Sequence, residues 1–141
     1  RQGDPLAVLF MDVDRLKSVN DAYGHGAGDR LLAETGQKLT SCLRSYDFLG
    51  RLGGDEFLAV LPGISRDEVP AKVTILKKAV AQHAVEIAGG ITVHASMSIG
   101  AALFPEDATN LEELVYLSDR EMYRDKKQGR TRSNISSAIA H

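Results

Sequence analysis

A chain of 141 residues with 43% hydrophobic and 26% charged side chains is long enough to bury one substantial core and too apolar to be disordered. Its formal net charge of -2, from 17 basic and 19 acidic residues, argues against a surface built for nucleic-acid polymers, while leaving room for a nucleotide held through a metal. No apolar run approaches the ~18 residues a spanning helix needs, the N-terminus lacks a signal peptide's apolar stretch, and the lone Cys42 has no disulfide partner, so a reducing cytoplasm is expected, with any membrane anchor outside these residues.

In chain order, Leu6 to Met11 is a continuous apolar run suited to a strand covered on both faces. It ends in Asp12-Val13-Asp14, whose two carboxylates share one face because strand side chains alternate. Asp14 is expected to cap the next helix; that explanation does not reach Asp12. Leu16, Val19 and Tyr23 have helical spacing, and Gly24 to Asp29 then reads as a glycine-rich loop. A second helix follows over 30–44 on a stripe of Leu31, Leu32, Leu39, Cys42 and Leu43, with Asp29 at or near its N-terminus. The loop offers N–H groups to an anion but lacks the P-loop pattern, and His25 reads as a loop histidine because no second His or Cys stands at ligand spacing.

Two short apolar segments, Phe48 to Leu52 and Phe57 to Leu61, flank Gly53-Gly54-Asp55-Glu56 and predict a β-hairpin whose turn needs positive φ at glycine. A turn has no need of two adjacent carboxylates that repel each other. Either this is a polar turn, or the glycines let the backbone approach a phosphate while the acids hold its divalent cation. Beyond Pro62-Gly63, Ser65 is a candidate cap for a helix running to about Val85 through Val69, Val73, Leu76, Val80 and Ala84. Ala88-Gly89-Gly90 makes a turn, and Ile91 to Phe104 reads as one long strand ending before Pro105. Thr109 or Asn110 opens a last helix through Leu111, Leu114, Val115, Ser118, Met122 and Tyr123, with a basic end that suits the helix dipole. Lys126 and Arg130, four apart across a stop near Gly129, can converge on one anion; residues 133–135 are a candidate final strand and 136–141 a tail.

This order predicts an α/β (α+β) fold: a ferredoxin-like βαββαβ core with an extra helix and strands, its central, mostly antiparallel sheet flanked by helices. In such a core the first strand neighbours the hairpin, bringing Asp12 near Asp55 and Glu56 to hold one or two Mg²⁺ and, through them, a triphosphate neutralised by Lys126 and Arg130.

Gly53 to Phe57 spells the signature of the GGDEF family of diguanylate cyclases, and Asp12 to Asp29, Ser98-Ile99-Gly100 and Tyr123 to Arg130 match that family's other motifs in register, so the chain resembles it over nearly its whole length. The resemblance implies kinship with nucleotidyl cyclase and palm folds. It also implies that Asp12, Asp55 and the Val13 carbonyl ligate Mg²⁺ (or Mn²⁺), with Glu56 completing a second ion or helping to deprotonate the attacking hydroxyl. Gly53 and Gly54 would lie against the triphosphate, Asn20 and Asp29 would read guanine with His25 lining that pocket, and Lys126 and Arg130 would hold phosphates. Two GTP would condense to cyclic di-GMP and two pyrophosphates in a homodimer. Arg44-Ser45-Tyr46-Asp47 precedes the signature by five residues and matches the Arg-x-x-Asp of members inhibited by their product.

Residues 1–135 are expected to form the cyclase domain. Nothing before Leu6 resembles the family's usual opening segment, so the domain is expected to be N-terminally truncated, with a sensory domain expected upstream in a cytoplasmic protein or in the cytoplasmic part of a membrane-anchored bacterial sensor. No direct membrane contact is expected of these residues themselves. Asp125 stands where the family prefers Ala, and Glu121-Met122 where Ala-Leu or Ala-Met is common. The alternative reading is a catalytically idle module that senses GTP or cyclic di-GMP.

Overall fold

The apolar run at the start of the chain becomes the strand on which both layers are built. The computed structural model describes residues 4–140, with side chains through Gly129. Strand β1 (Leu6–Val13) is buried along almost its whole length. Alternation sends Ala7, Leu9, Met11 and Val13 into one core cluster and Val8 and Phe10 into another on the opposite face. The larger cluster is completed by α2 (His25–Ser41) and α3 (Val69–Gln82), through Leu31, Leu39, Leu76 and Val80. The smaller is completed by α4 (Leu111–Ala140), through Leu114 and Met122. Leu9 is 0% exposed between these layers, so Leu9→Ala would cost about 2–5 kcal/mol.

Between β1 and α2 lies the short α1 (Leu16–Tyr23); β2 (Phe48–Arg51) and β3 (Glu56–Pro62) form the hairpin, and β4 (Ala84–Ala88), β5 (Ile91–His94) and β6 (Met97–Phe104) follow α3. The main sheet has the order β2-β3-β1-β6 with every pairing antiparallel, the strand order of a ferredoxin-like fold. A glycine joins sheet to helix on the α4 side: a Cβ on Gly100 would lie 2.1 Å from the Met122 nitrogen and 2.2 Å from the Ser118 oxygen. Only a residue without a side chain lets the α4 backbone rest on β6 there. Among the described residues no helix is long and apolar enough to cross a membrane.

The structure departs from the sequence expectations in several places. The long strand over 91–104 is two strands, because the Asp14 N–H takes the Ser96 carbonyl at 2.9 Å and draws the chain out of extended pairing. β5 then folds back on β4, a two-stranded sheet not anticipated from the sequence; α3 ends at Gln82 rather than near Val85, and Val85 and Ile87 point into the core from β4. The glycine-rich loop over 24–29 shrinks to Gly24 alone, at φ 91°, and α2 begins at His25. Gly53 and Gly54 are not in the positive-φ region. The loop between β2 and β3 spans four residues and is closed by Leu52 N–H to the Glu56 carbonyl at 2.9 Å, which relieves the need for left-handed backbone. Residues 133–135 continue α4 instead of forming a strand, and the helix passes through Gly129, since one glycine costs only about 1 kcal/mol in a helix and no sheet edge claims the segment. Asn110 is the cap of α4, its side-chain oxygen accepting the Glu113 N–H at 2.8 Å.

Candidate active site

The end of β1 and the start of β3 place the acids. In register, Asp12 lies opposite Glu56 on β3 and Ser98 on β6. The Val13 N–H donates to the Asp55 carbonyl at 3.1 Å, fixing the glycine turn against the strand end. Arg51 holds the turn from the other side, its guanidinium donating to the Gly54 carbonyl at 2.7 Å and the Gly53 carbonyl at 3.3 Å. A Cβ on Gly54 would meet nothing, so that backbone stays open to an incoming group.

Asp12 is only 7% exposed. Its Oδ2 accepts the Lys126 ammonium at 2.7 Å, while its Oδ1 is buried with no hydrogen-bond partner. Burial pushes the Asp12 carboxyl up to about 6; Lys126 pulls it down, and the neighbouring Asp55 charge adds to the rise. The Glu56 carboxyl is also raised, by burial first and then by Asp55 and Asp119, with Lys126 opposing. A buried carboxylate with one acceptor oxygen idle is costly unless something positive or protonated completes it.

That orphaned oxygen beside a second carboxylate fits a hard divalent cation, which takes oxygen ligands. Among the described residues no three His, Cys, Asp or Glu side chains gather into a metal cage, so Asp12, Asp55 and Glu56 do not converge as a three-carboxylate set. Two carboxylates with substrate phosphates and water to finish the shell is the arrangement that suits Mg²⁺ rather than a dedicated all-protein cage.

Beside the acids opens a cleft of about 560 Å³ lined by Val13, Arg15, Lys17, Asp55, Ser96 and Lys126, among others. Asp14 does not cap α1: its carboxylate accepts the Ser96 hydroxyl at 2.9 Å and the Ser98 hydroxyl at 2.7 Å, clamping the cleft floor to β6. Arg15 sits at φ 60°, the one described non-glycine residue with positive φ, a strain of order 1 kcal/mol that turns the chain sharply from β1 into α1. The sequence reading gave no role to Arg15 or Lys17, although two basic residues directly after an acidic strand end were a usable sign of an anion beside a metal.

A second group gathers where α1 meets α2. The Asn20 Oδ1 is buried and unpartnered, and a Cβ on Gly28 would lie 1.8 Å from it. Gly28 is therefore the floor on which Asn20 rests. His25 and Asp29 are exposed and one turn apart on α2, so they share a face. Asp29 lies in the second turn of α2 and does not cap it, because the helix starts at His25 rather than at Arg30.

Arg44 and Asp47 lie at the far end of β3 from the acids, about 20 Å away at ~3.3 Å per residue, where the Arg44 guanidinium also reaches the Pro62 carbonyl at 2.9 Å. Their pairing is complete: the Arg44 Nε and Nη2 donate to both carboxylate oxygens of Asp47 at 2.7 to 3.1 Å, the Arg44 N–H adds a bond at 2.8 Å, and Tyr46 stacks 4.6 Å from the guanidinium. Burial pushes the Asp47 carboxyl up, but the Arg44 hydrogen bonds and charge, with Lys72, outweigh it and hold the group below its ordinary range. The side chain of Arg130 lies outside the described residues.

Comparison with known proteins identifies the family of this fold. The GGDEF family profile, described as a diguanylate cyclase, GGDEF domain, matches residues 1–132. The chain is 36% identical over 135 residues to the diguanylate cyclase DosC of Escherichia coli K12, covering 96% of this chain and 29% of that protein. It is 38% identical over 127 residues to the diguanylate cyclase TpbB of Pseudomonas aeruginosa, covering 90% of this chain and 29% of that protein. The crystal structure of the TpbB (or YfiN) GGDEF domain superposes with a TM-score of 0.85 at 38% identity, covering 90% of this chain and 79% of that one. The chain thus spans less than a third of the length of these curated relatives.

Proposed function

This chain belongs to the GGDEF family of diguanylate cyclase domains, and on that premise we propose that it joins two GTP molecules into cyclic di-GMP. Each domain binds one GTP, and two domains face each other as a homodimer. The 3′-oxygen of each nucleotide attacks the α-phosphorus of the other; an O–P bond forms there and the bond to the β-phosphate breaks. Two such steps close the ring and release two pyrophosphates.

Asp12, Asp55 and the Val13 carbonyl would hold Mg²⁺ or Mn²⁺, with Glu56 beside them. Bound there, the ion supplies charge neutralisation for the phosphates. The raised Glu56 carboxyl makes it a stronger proton acceptor for the 3′-hydroxyl than an ordinary glutamate. Lys126, held on Asp12 before substrate arrives, transfers its ammonium to the phosphates, joined by Arg130 and by Lys17 from the cleft wall. Gly53 and Gly54 leave the turn backbone bare against the triphosphate. The idle Asn20 oxygen supports guanine recognition, since it asks for a donor; Asp29 accepts the N1 and N2 hydrogens that adenine lacks, with His25 alongside. Cyclic di-GMP inhibits through Arg44 and Asp47, but only after their mutual fork opens to a guanine edge. Residues 1–135 act as this domain within a longer chain that a sensory N-terminal domain controls from the cytoplasmic side.

One observation carries the reading: the Asp12 Oδ1, buried, unpartnered and next to Asp55. Incubation with GTP and Mg²⁺ tests it. The expected result is cyclic di-GMP and pyrophosphate in a one-to-two ratio from the native protein and neither from Asp12→Asn. GTP binding without product would overturn the cyclase reading in favour of an idle sensing module.

A further inference from the structure

Outside the acids of the cleft, one carboxylate ties three elements together. The Oδ2 of Asp125, on α4, accepts the Ile99 N–H of β6 at 2.9 Å and the Lys77 ammonium of α3 at 2.5 Å. β6 is an edge strand of the main sheet, so its outward N–H groups have no ladder partner, and Asp125 supplies one. α3 packs on one face of the sheet and α4 on the other. Lys77 therefore reaches round the sheet edge, and its pair with Asp125 closes the two layers at that point.

The next residue is Lys126, which crosses to Asp12 on β1. Successive residues of an α-helix point about 100° apart, so anchoring Asp125 against Ile99 sets the direction in which Lys126 leaves the helix. The other fixed point is the close approach at Gly100. Between them, the rotation and register of α4 over β6 are determined just where its charged side chain must span the sheet end. A pair with side chains 36% and 24% exposed contributes little to global stability. Its geometry is where it matters.

We propose that Asp125 and Lys77 are positioning residues, a clamp round the edge of β6 that aims the Lys126 ammonium into the Asp12–Asp55 site, onto Asp12 when the site is free and onto the phosphates when nucleotide binds. The second half of this statement rests on the cyclase reading; the first does not.

The test compares Lys77→Met with Lys77→Arg, which keeps the pair, and with Asp125→Asn, all in the native chain. In nucleotide-free protein, amine labelling of Lys126 followed by peptide mass spectrometry is expected to speed up about three- to tenfold in Lys77→Met and Asp125→Asn and to stay at the native rate in Lys77→Arg. In turnover, KM for GTP with Mg²⁺ is expected to rise about three- to tenfold with kcat within about twofold, the pattern of a lost phosphate contact rather than a lost fold. Native labelling rates in Lys77→Met would overturn the clamp, as would an unchanged KM with kcat lowered only in proportion to the folded fraction. A native protein that makes no cyclic di-GMP would overturn the cyclase reading and the phosphate half of the proposal, and the labelling comparison would still decide the clamp itself.

Discussion

The two ends of β3 each carry a carboxylate–cation pair at 2.7 Å, and they are opposites in every other respect. At one end Asp47 has both oxygens filled by Arg44, and its carboxyl is held below its ordinary range. At the other, Asp12 shares one oxygen with Lys126, keeps the other idle, and has its carboxyl pushed up to about 6. The difference lies in the cation as much as in the burial. A guanidinium fork satisfies a carboxylate on both sides, whereas an ammonium is a point charge on a flexible stem that can be recruited elsewhere. A complete pair offers a ligand nothing until its fork opens, whereas an incomplete one keeps an acceptor oxygen idle.

Breaking each pair should therefore have opposite consequences. The largest effect is expected for Asp12→Ala: turnover of GTP falls by at least about 10²–10³-fold, with little loss of stability in urea because a strained burial is relieved. Arg44→Ala is expected to leave the initial rate nearly native and to relieve product inhibition, while costing about 1–3 kcal/mol in the same urea titration because Asp47 is left buried without its partner. An unaltered inhibition curve would remove the case for Arg44 and Asp47 as a product site.

The pH dependence of stability sharpens the contrast. In metal-free protein the folded Asp12 holds its proton between the ordinary 3.8 and about 6, where the unfolded chain has released it. Its contribution is greatest at low pH and declines as pH rises through that window, and Asp12→Asn should flatten the decline. Asp47, lowered by Arg44, has the other sign: its contribution is present above its ordinary range and is lost as pH falls through its depressed value. Asp47→Asn should flatten only that acid limb. A smaller effect is expected at Gly28→Ala, where a methyl 1.8 Å from the Asn20 oxygen must displace it. GTP binding should weaken roughly tenfold although glycine to alanine in a helix ordinarily adds up to about 1 kcal/mol of stability.

The neighbourhood of Asp12 and the Asp55 turn was legible from the sequence, because an apolar run ending in Asp-x-Asp and a hairpin with surplus acids are local patterns that meet once the strands are neighbours; that Glu56 does not join them in a three-carboxylate set was not. The hidden features depend on partners far along the chain. The break between β5 and β6 follows from Asp14 seizing Ser96, eighty-two positions away, and an alternating run over 91–104 contains no trace of that. Gly26 and Gly28 read as loop formers because glycine weakens helices, yet Gly28 is helical so that Asn20 can lie against it. Asp14 read as a cap because caps are local, and it was claimed instead by Ser96, just before β6, and Ser98 on it. The sequence could place Arg44 three residues from Asp47, but whether that spacing yields an open receptor or a closed fork depends on where the Pro62 carbonyl falls.

The central claim is that the idle oxygen of Asp12 and the neighbouring Asp55 complete a divalent ion together with nucleotide. Electron paramagnetic resonance of Mn²⁺ titrated into the protein with a non-hydrolysable GTP analogue measures this directly. A tightly immobilised Mn²⁺ signal is expected in the native protein, abolished by Asp12→Asn and left intact by Arg44→Ala. Equal Mn²⁺ affinity in native protein and Asp12→Asn would contradict that claim.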